Sequence, residues 1–225
     1  NILINFQTLF YLKIAYIRSD ILINKVLFYR MKDDDKNSIE ISIDRLKETV
    51  ISGKTFSFKW RIEQIKKIKN IIDENQSEII HSLNLDLGKS KIEALSEILL
   101  IKEEITLVNK NLNKWMRPKK IKTPFYLFPS SSKVFFEPLG CVLILGPYNY
   151  PLLYILKPLV NIFSAGNTAI IKPSEKCFNT SNLIKKLVDK YFKKEVLIAI
   201  EGNYKVSEKL ARSNFDHIFF TGSSF

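Results

Sequence analysis

Residues 137–154 read EPLGCVLILGPYNYPLLY, and the fold turns on how the middle of this stretch is taken. Cys141-Val142-Leu143-Ile144-Leu145 is a continuous apolar run closed by Gly146. A strand with one wet face alternates apolar and polar residues. An unbroken run ended by glycine is the pattern of a strand buried on both faces, as in parallel sheets. Pro147-Tyr148-Asn149-Tyr150-Pro151 then sets a polar amide between two aromatic rings where the strand ends. Pro151 suits the first turn of a helix, where its missing N–H is not needed.

Downstream the pattern repeats. A helix is expected over 151–164, ended by Ala165-Gly166, and then a strand over 168–171. A helix over 183–191, a strand over 196–200, a helix over 206–212 and a strand over 217–220 follow, ending in Thr221-Gly222-Ser223. Strands alternating with helices through short turns define an α/β fold, a Rossmann-like doubly wound parallel sheet. It is expected to be cut off after its fourth strand. A short strand is also expected at Val134-Phe135-Phe136, so this domain is drawn over 133–225.

Upstream, residues 31–132 read as a helical segment and a connection. A short helix over 43–52 is broken by Ser52-Gly53-Lys54-Thr55. The Gly-Lys-Thr is not a phosphate loop, because the glycine such a loop needs five residues earlier is Glu48. Ile62, Ile65, Ile68, Ile72, Ile79, Ile80 and Leu83 recur at helical spacing and predict one long amphipathic helix, ended at Leu87-Gly88-Lys89. A second helix is expected with Ile92, Leu95, Leu99, Ile105, Val108 and Leu112 on its buried side, limited by Pro118. The stretch 119–132, with Pro124, Pro129 and three consecutive serines, reads as a connection.

The 225-residue chain carries a formal net charge of +12. Its lysines are spread along helical stretches as solvated faces would be, and only Arg117-Pro118-Lys119-Lys120-Ile121-Lys122 is a dense basic cluster. No nucleic-acid partner is therefore expected, although a basic nucleic-acid-binding protein is the rival reading of the charge. Two cysteines, Cys141 and Cys177, give neither a disulfide framework nor metal spacing, and His81 and His217 stand alone. No metal is expected. Residues 1–30 are apolar but interrupted by Lys13, Arg18, Asp20 and Lys25, short of the ~18 uninterrupted residues a membrane helix needs. The shift to polar residues after Met31 predicts that 1–30 is an extension of doubtful structure, with a membrane-surface helix as the rival. Nothing resembles a cleavable signal, so a cytoplasmic location is expected; no feature decides membrane attachment. The first residue is Asn1 and the last lie within a strand-to-helix turn, so a fragment of a longer protein is expected.

In doubly wound sheets, ligands bind beyond the carboxyl ends of the strands. Three of those ends carry Gly146–Pro151, Lys172-Pro173-Ser174-Glu175 and Thr221-Gly222-Ser223, which should share one rim. Asn149 is then either a helix N-cap or a donor to a developing negative charge. Lys172 and Glu175 form either an exposed ion pair or a clamp on ribose hydroxyls. Gly222 and Ser223 open a turn where backbone can approach a phosphate. No G-x-G-x-x-G follows any strand.

As a set and in this order, these residues resemble the aldehyde dehydrogenase superfamily. Pro147–Pro151 resembles its Pro-Trp-Asn-aromatic-Pro motif, Gly166–Glu175 its Gly-Asn-x-x-x-x-Lys-Pro-Ser-Glu motif and Phe220–Ser223 its Phe-Thr-Gly-Ser turn. Ser52–Thr55, Asp86–Lys89, Glu137–Gly140 and Phe215–Ile218 resemble the class 3, fatty-aldehyde-type branch. The resemblance implies oxidation of aldehydes to acids with NAD, NADP being possible, in a protein whose full length is a homodimer. It implies that Asn149 holds the thiohemiacetal oxyanion. It implies that Lys172, Ser174 and Glu175 lie at the cofactor, the first and last on the adenosine ribose, and that Gly222 and Ser223 begin the turn near the pyrophosphate. Glu175 should favour NAD. Tyr148 departs from the tryptophan of many relatives. The family's nucleophilic cysteine and general-base glutamate lie beyond the turn at Gly222, and neither Cys141 nor Cys177 matches the nucleophile. The catalytic domain is thus expected to be absent and the chain alone inactive. A non-catalytic NAD-binding fragment is the alternative.

Overall fold

The computed structural model describes residues 33–222; the segment 1–30 and Ser223, on which expectations were placed, lie outside them. Four helices come first: α1 (Asp33–Ile51), α2 (Phe58–Glu74), α3 (Gln76–Leu87) and α4 (Lys91–Trp115). A small antiparallel arm follows, β1 (Lys119–Ile121) paired with β2 (Ser132–Val134). The α/β part is β3 (Cys141–Leu145), α5 (Leu153–Ser164), β4 (Thr168–Lys172), α6 (Phe178–Tyr191), β5 (Leu197–Ala199), α7 (Tyr204–Ala211) and β6 (His217–Phe220).

Strands β3 to β6 form one parallel sheet in the order β5-β4-β3-β6. The chain winds outward from β3 to β4 to β5, then returns to place β6 on the other side of β3. The order reverses between β3 and β6, which makes that boundary the switch point of the sheet. The unbroken apolar run at 141–145 is explained by its two covered faces. Val142 and Ile144, with Ala169, Ile171, Leu197 and Ala199, pack into a core shared with α2, α4, α5 and α6. Cys141, Leu143 and Ile170 point the other way, onto Ile43 and Leu46 of α1 and Leu210 of α7. Phe163, fully buried on α5, meets Trp60 edge-on at 6.1 Å and stacks on Phe192 at 5.5 Å. Such ring pairs add about 0.5–1.5 kcal/mol each beyond the area they bury.

Four sequence expectations are corrected. The single long helix is two, broken at Asn75, whose φ of −121° leaves the helical region. Its side-chain amide donates to the Ile71 carbonyl at 2.8 Å, beside its own backbone N–H at 3.2 Å, and contacts the Tyr191 hydroxyl at 3.3 Å. The buried face of α4 is rotated from the expected one. Ile92 and Leu99 are 81% and 57% exposed, and the stripe runs through Ala94, Ile98, Ile101, Ile105, Val108 and Leu112. Glu97 and Glu104 sit inside it because Lys89 and Lys157 reach them. The short strand near 134–136 lies earlier, at Ser132–Val134, and belongs to the arm rather than the parallel sheet. Helix α5 begins at Leu153, so Pro151 precedes it. The basic cluster lies at the start of the arm, where the Lys119 ammonium sits 5.0 Å from the centre of the Phe136 ring.

Candidate functional site

Leu145 is the last residue of β3 and lies in register with Lys172 of β4 on one side and Phe220 of β6 on the other. The backbone closes the same edge: Gly146 N–H donates to Lys172 at 3.0 Å, and Thr221 N–H donates to Leu145 at 3.3 Å. The three turns singled out in the sequence therefore leave the sheet side by side. At Gly146 a Cβ would lie 2.6 Å from the Ile155 side chain of α5, which would have to shift to admit it. At Gly222 a Cβ would come within 2.4 Å of the exposed Phe220 ring, which would have to turn aside.

Asn149 is exposed. It is not an N-cap: that position is Leu152, and the Asn149 carbonyl Oδ1 instead accepts from the Tyr150 N–H at 3.0 Å. The acceptor end of the amide is thus tied to its own turn, and the nitrogen end makes no hydrogen bond to the described residues. Both neighbours of Asn149 are held from other elements. The Cys177 thiol donates to the Tyr148 carbonyl at 3.1 Å, and Lys176 lies 4.9 Å from the centre of the Tyr148 ring. Lys89 lies 4.1 Å from the centre of the Tyr150 ring.

Lys172 and Glu175 do form an ion pair, but not the exposed one weighed in the sequence. The Lys172 side chain is 3% exposed and Glu175 40%. Burial pushes the Glu175 carboxyl up, but hydrogen bonds from Lys172 and its own backbone N–H, with the charges of Lys172 and Lys176, outweigh this and leave it below the usual carboxylate range. Ser174 turns inward on its own loop: its hydroxyl accepts from the Lys176 N–H at 3.3 Å, and its carbonyl accepts from the Ser181 hydroxyl at 2.7 Å. Beside this turn is a cavity of about 260 Å³ lined by Pro173, Glu175, Phe178, Ser181, Asn182, Glu201 and Gly202.

Two carboxylates to which the sequence assigned no role help to build the edge. Asp86, at the end of α3, accepts from the N–H groups of Asn179 at 3.0 Å and Thr180 at 2.7 Å, and from the Asn179 side chain at 2.8 Å. It caps α6, which has no side-chain cap from its own preceding residue. Burial raises its pKa, but the hydrogen bonds from Thr180 and Asn179 win and lower it. Glu97 of α4, fully buried, accepts from the Leu153 N–H at 2.9 Å and pairs with Lys89. A glutamate on an apolar helical stripe was the available signal.

Both cysteines are buried. Desolvation, reinforced by Asp216, pushes the Cys141 thiol up to about 12, and desolvation with Asp86 pushes Cys177 up to about 11. Neither is a thiolate at neutral pH. No cluster of three metal-ligating side chains exists among the described residues, and no described helix is long and apolar enough to cross a membrane.

Fold and edge together define a Rossmann-like, doubly wound α/β protein with its candidate site at the switch point. Comparison with known proteins narrows this: the chain belongs to the aldehyde dehydrogenase family, which it matches over residues 23–225. It is 41% identical over 170 residues to 4,4'-diaponeurosporen-aldehyde dehydrogenase of Staphylococcus aureus, covering 75% of this chain and 37% of that protein. It is 37% identical over 183 residues to aldehyde dehydrogenase family 3 member H1 of Arabidopsis thaliana, covering 81% of this chain and 38% of that one. The substrate-bound structure of Staphylococcus aureus AldH superposes with a TM-score of 0.79 at 39% identity, over 82% of this chain and 41% of that chain. The chain thus spans under half the length of these relatives, and its fold is a partial aldehyde dehydrogenase fold.

Proposed function

We propose that this chain is the cofactor-binding portion of an enzyme that oxidises aldehydes to carboxylic acids with a nicotinamide dinucleotide. The observation that carries the reading is the shared edge, where the turns after β3, β4 and β6 are joined by backbone hydrogen bonds at the switch point. In this reading Lys172 and Glu175 hold the adenosine ribose beside the adjoining cavity, with Ser174 bracing the turn between them. A carboxylate held ionised can accept from two hydroxyls. The same charge repels a 2′-phosphate, so NAD is preferred over NADP. The turn at Gly222 lies near the pyrophosphate. The dinucleotide, when bound, supplies the hydride acceptor.

Asn149 donates from its amide nitrogen to the oxygen that becomes negative when a thiolate adds to the aldehyde carbonyl. Its carbonyl end, fixed on Tyr150, orients the amide before substrate arrives, which is the preorganisation such a donor requires. The attacking thiol is not supplied by Cys141 or Cys177, whose burial and raised pKa keep them protonated.

The test is steady-state kinetics of the complete protein with aliphatic and aromatic aldehydes. Asn149→Ala should lower kcat by about 10²–10³-fold, the usual loss for one oxyanion donor, while dinucleotide affinity stays unchanged. Near-normal turnover by the variant would remove Asn149 from the chemistry.

A further inference from the structure

We propose that Glu97, on α4, is a positioning residue for Asn149, acting through Lys89 and the first turn of α5; this rests on the reading of Asn149 given above. Its two carboxylate oxygens are divided between two tasks. Oε2 accepts from the Leu153 N–H at 2.9 Å, and Oε1 pairs with the Lys89 ammonium. Helix α5 has no side-chain cap of its own, the N-cap residue being Leu152. Glu97 supplies the missing acceptor from 56 residues away in sequence and sets a negative charge at the positive end of the helix. Lys89 in turn lies over the Tyr150 ring at 4.1 Å, and Tyr150 donates its N–H to Asn149 Oδ1. Glu97 thus grips the 146–152 turn at its far end and, through Lys89, at the residue next to Asn149.

Lys89 is itself fixed. Its carbonyl accepts from the Asn84 side chain at 3.0 Å, and the next residue, Ser90, opens α4 in a reciprocal cap with Glu93. The Lys89 side chain is 12% exposed and Glu97 is 0% exposed. A buried ion pair is a poor way to stabilise a helix interface, since apolar residues of similar volume usually do as well or better. The neighbours of Glu97 on the stripe, Ala94, Ile98 and Ile101, show that this interface accepts apolar residues. The acid therefore serves geometry: displacing a reacting group by about 1 Å can cost roughly 10²-fold in rate.

The experiment is a double-mutant cycle in the complete protein. Glu97→Ala should lower kcat for aldehyde oxidation by about 10²-fold, and Glu97→Gln, which keeps an oxygen for Leu153, by about tenfold. KM for the dinucleotide should stay within about twofold in both. In an Asn149→Ala background the same changes should cost less than about twofold, because the group they position is gone. Equal losses in both backgrounds, or a dinucleotide KM that rises in step, would make Glu97 a general structural residue and overturn the proposal. Hydrogen exchange on the 225-residue chain supplies a second, activity-free arm. The Leu153 amide should exchange at least about tenfold faster in Glu97→Ala, with the β3 amides unchanged. Unaltered exchange at Leu153 would also overturn it. A complete wild-type protein without aldehyde turnover would sink the proposed function, and the exchange arm would still decide whether Glu97 holds the turn.

Discussion

Removing the Glu175 carboxylate should destabilise the protein more than removing its lysine partner. The Lys172 side chain is 3% exposed and Glu175 is 40% exposed, so the two ends of the pair fail differently. Glu175→Ala leaves an ammonium in the interior with its carboxylate gone. Breaking a fully buried pair this way costs about 3–5 kcal/mol. Water reaches this pair from the glutamate side, which screens it, so a loss of about 1–3 kcal/mol is expected. For a chain of this size that is about 3–10 °C in the thermal midpoint. Lys172→Met leaves only a carboxylate that can hydrate in place, and should cost less than about 1 kcal/mol. The double variant should resemble Lys172→Met. The pH dependence has a definite sign. The native Glu175 carboxyl titrates below its unfolded value, so its contribution is complete above the ordinary carboxylate range and drains away as pH falls through the lowered native value. The gap between wild type and Glu175→Ala should be full at pH 7 and close in acid. The assay is thermal unfolding followed by far-UV circular dichroism at both pH values. A Lys172→Met loss equal to or greater than that of Glu175→Ala, or a gap that widens in acid, would refute the reasoning.

Glu175→Gln should narrow the ratio of kcat/KM for NAD over NADP in the complete protein, because the carboxylate no longer repels a 2′-phosphate; an unchanged ratio would place the ribose elsewhere. The 225-residue chain alone should give no sustained NADH formation from NAD and aldehydes, and turnover above a blank would show that one of its thiols serves as nucleophile. Cys141 and Cys177 should resist alkylation by iodoacetamide at pH 7.5 in the folded chain and react on denaturation, read by intact mass, since both are buried and raised to about 12 and 11.

Much of the candidate site was legible because it depends on one-dimensional signals. An apolar run ended by glycine marks a strand buried on both faces whatever covers it, and β3 and β4 fall at 141–145 and 168–172. Alternation with helices then fixes a parallel sheet, and a parallel sheet places every strand's carboxyl end on one edge. That is why Asn149, Lys172, Glu175 and Gly222 could be gathered from the sequence. The burial of Cys141 was equally readable from the apolar run around it, and its 0% exposure agrees.

What the sequence alone could not decide was set by contacts between distant segments. Periodicity cannot distinguish a continuous helix from two helices joined at Asn75, whose side chain is held at Ile71 and at the distant Tyr191. Apolar spacing alone put Ile92 and Leu99 inside α4. The tertiary fold put Glu97 and Glu104 there instead, once Lys89 and Lys157 were available to neutralise them. Asn149 looked like a cap by its spacing; the helix starts at Leu153, and its free N–H is met by Glu97. The ion pair at Lys172 was predictable from a spacing of three residues, but its burial was not, because the packing around the Lys172 stem comes from the assembled sheet rather than from its chain neighbours. A sequence carries periodicity and turn chemistry. Burial of charge and the identity of a partner are properties of the packed chain.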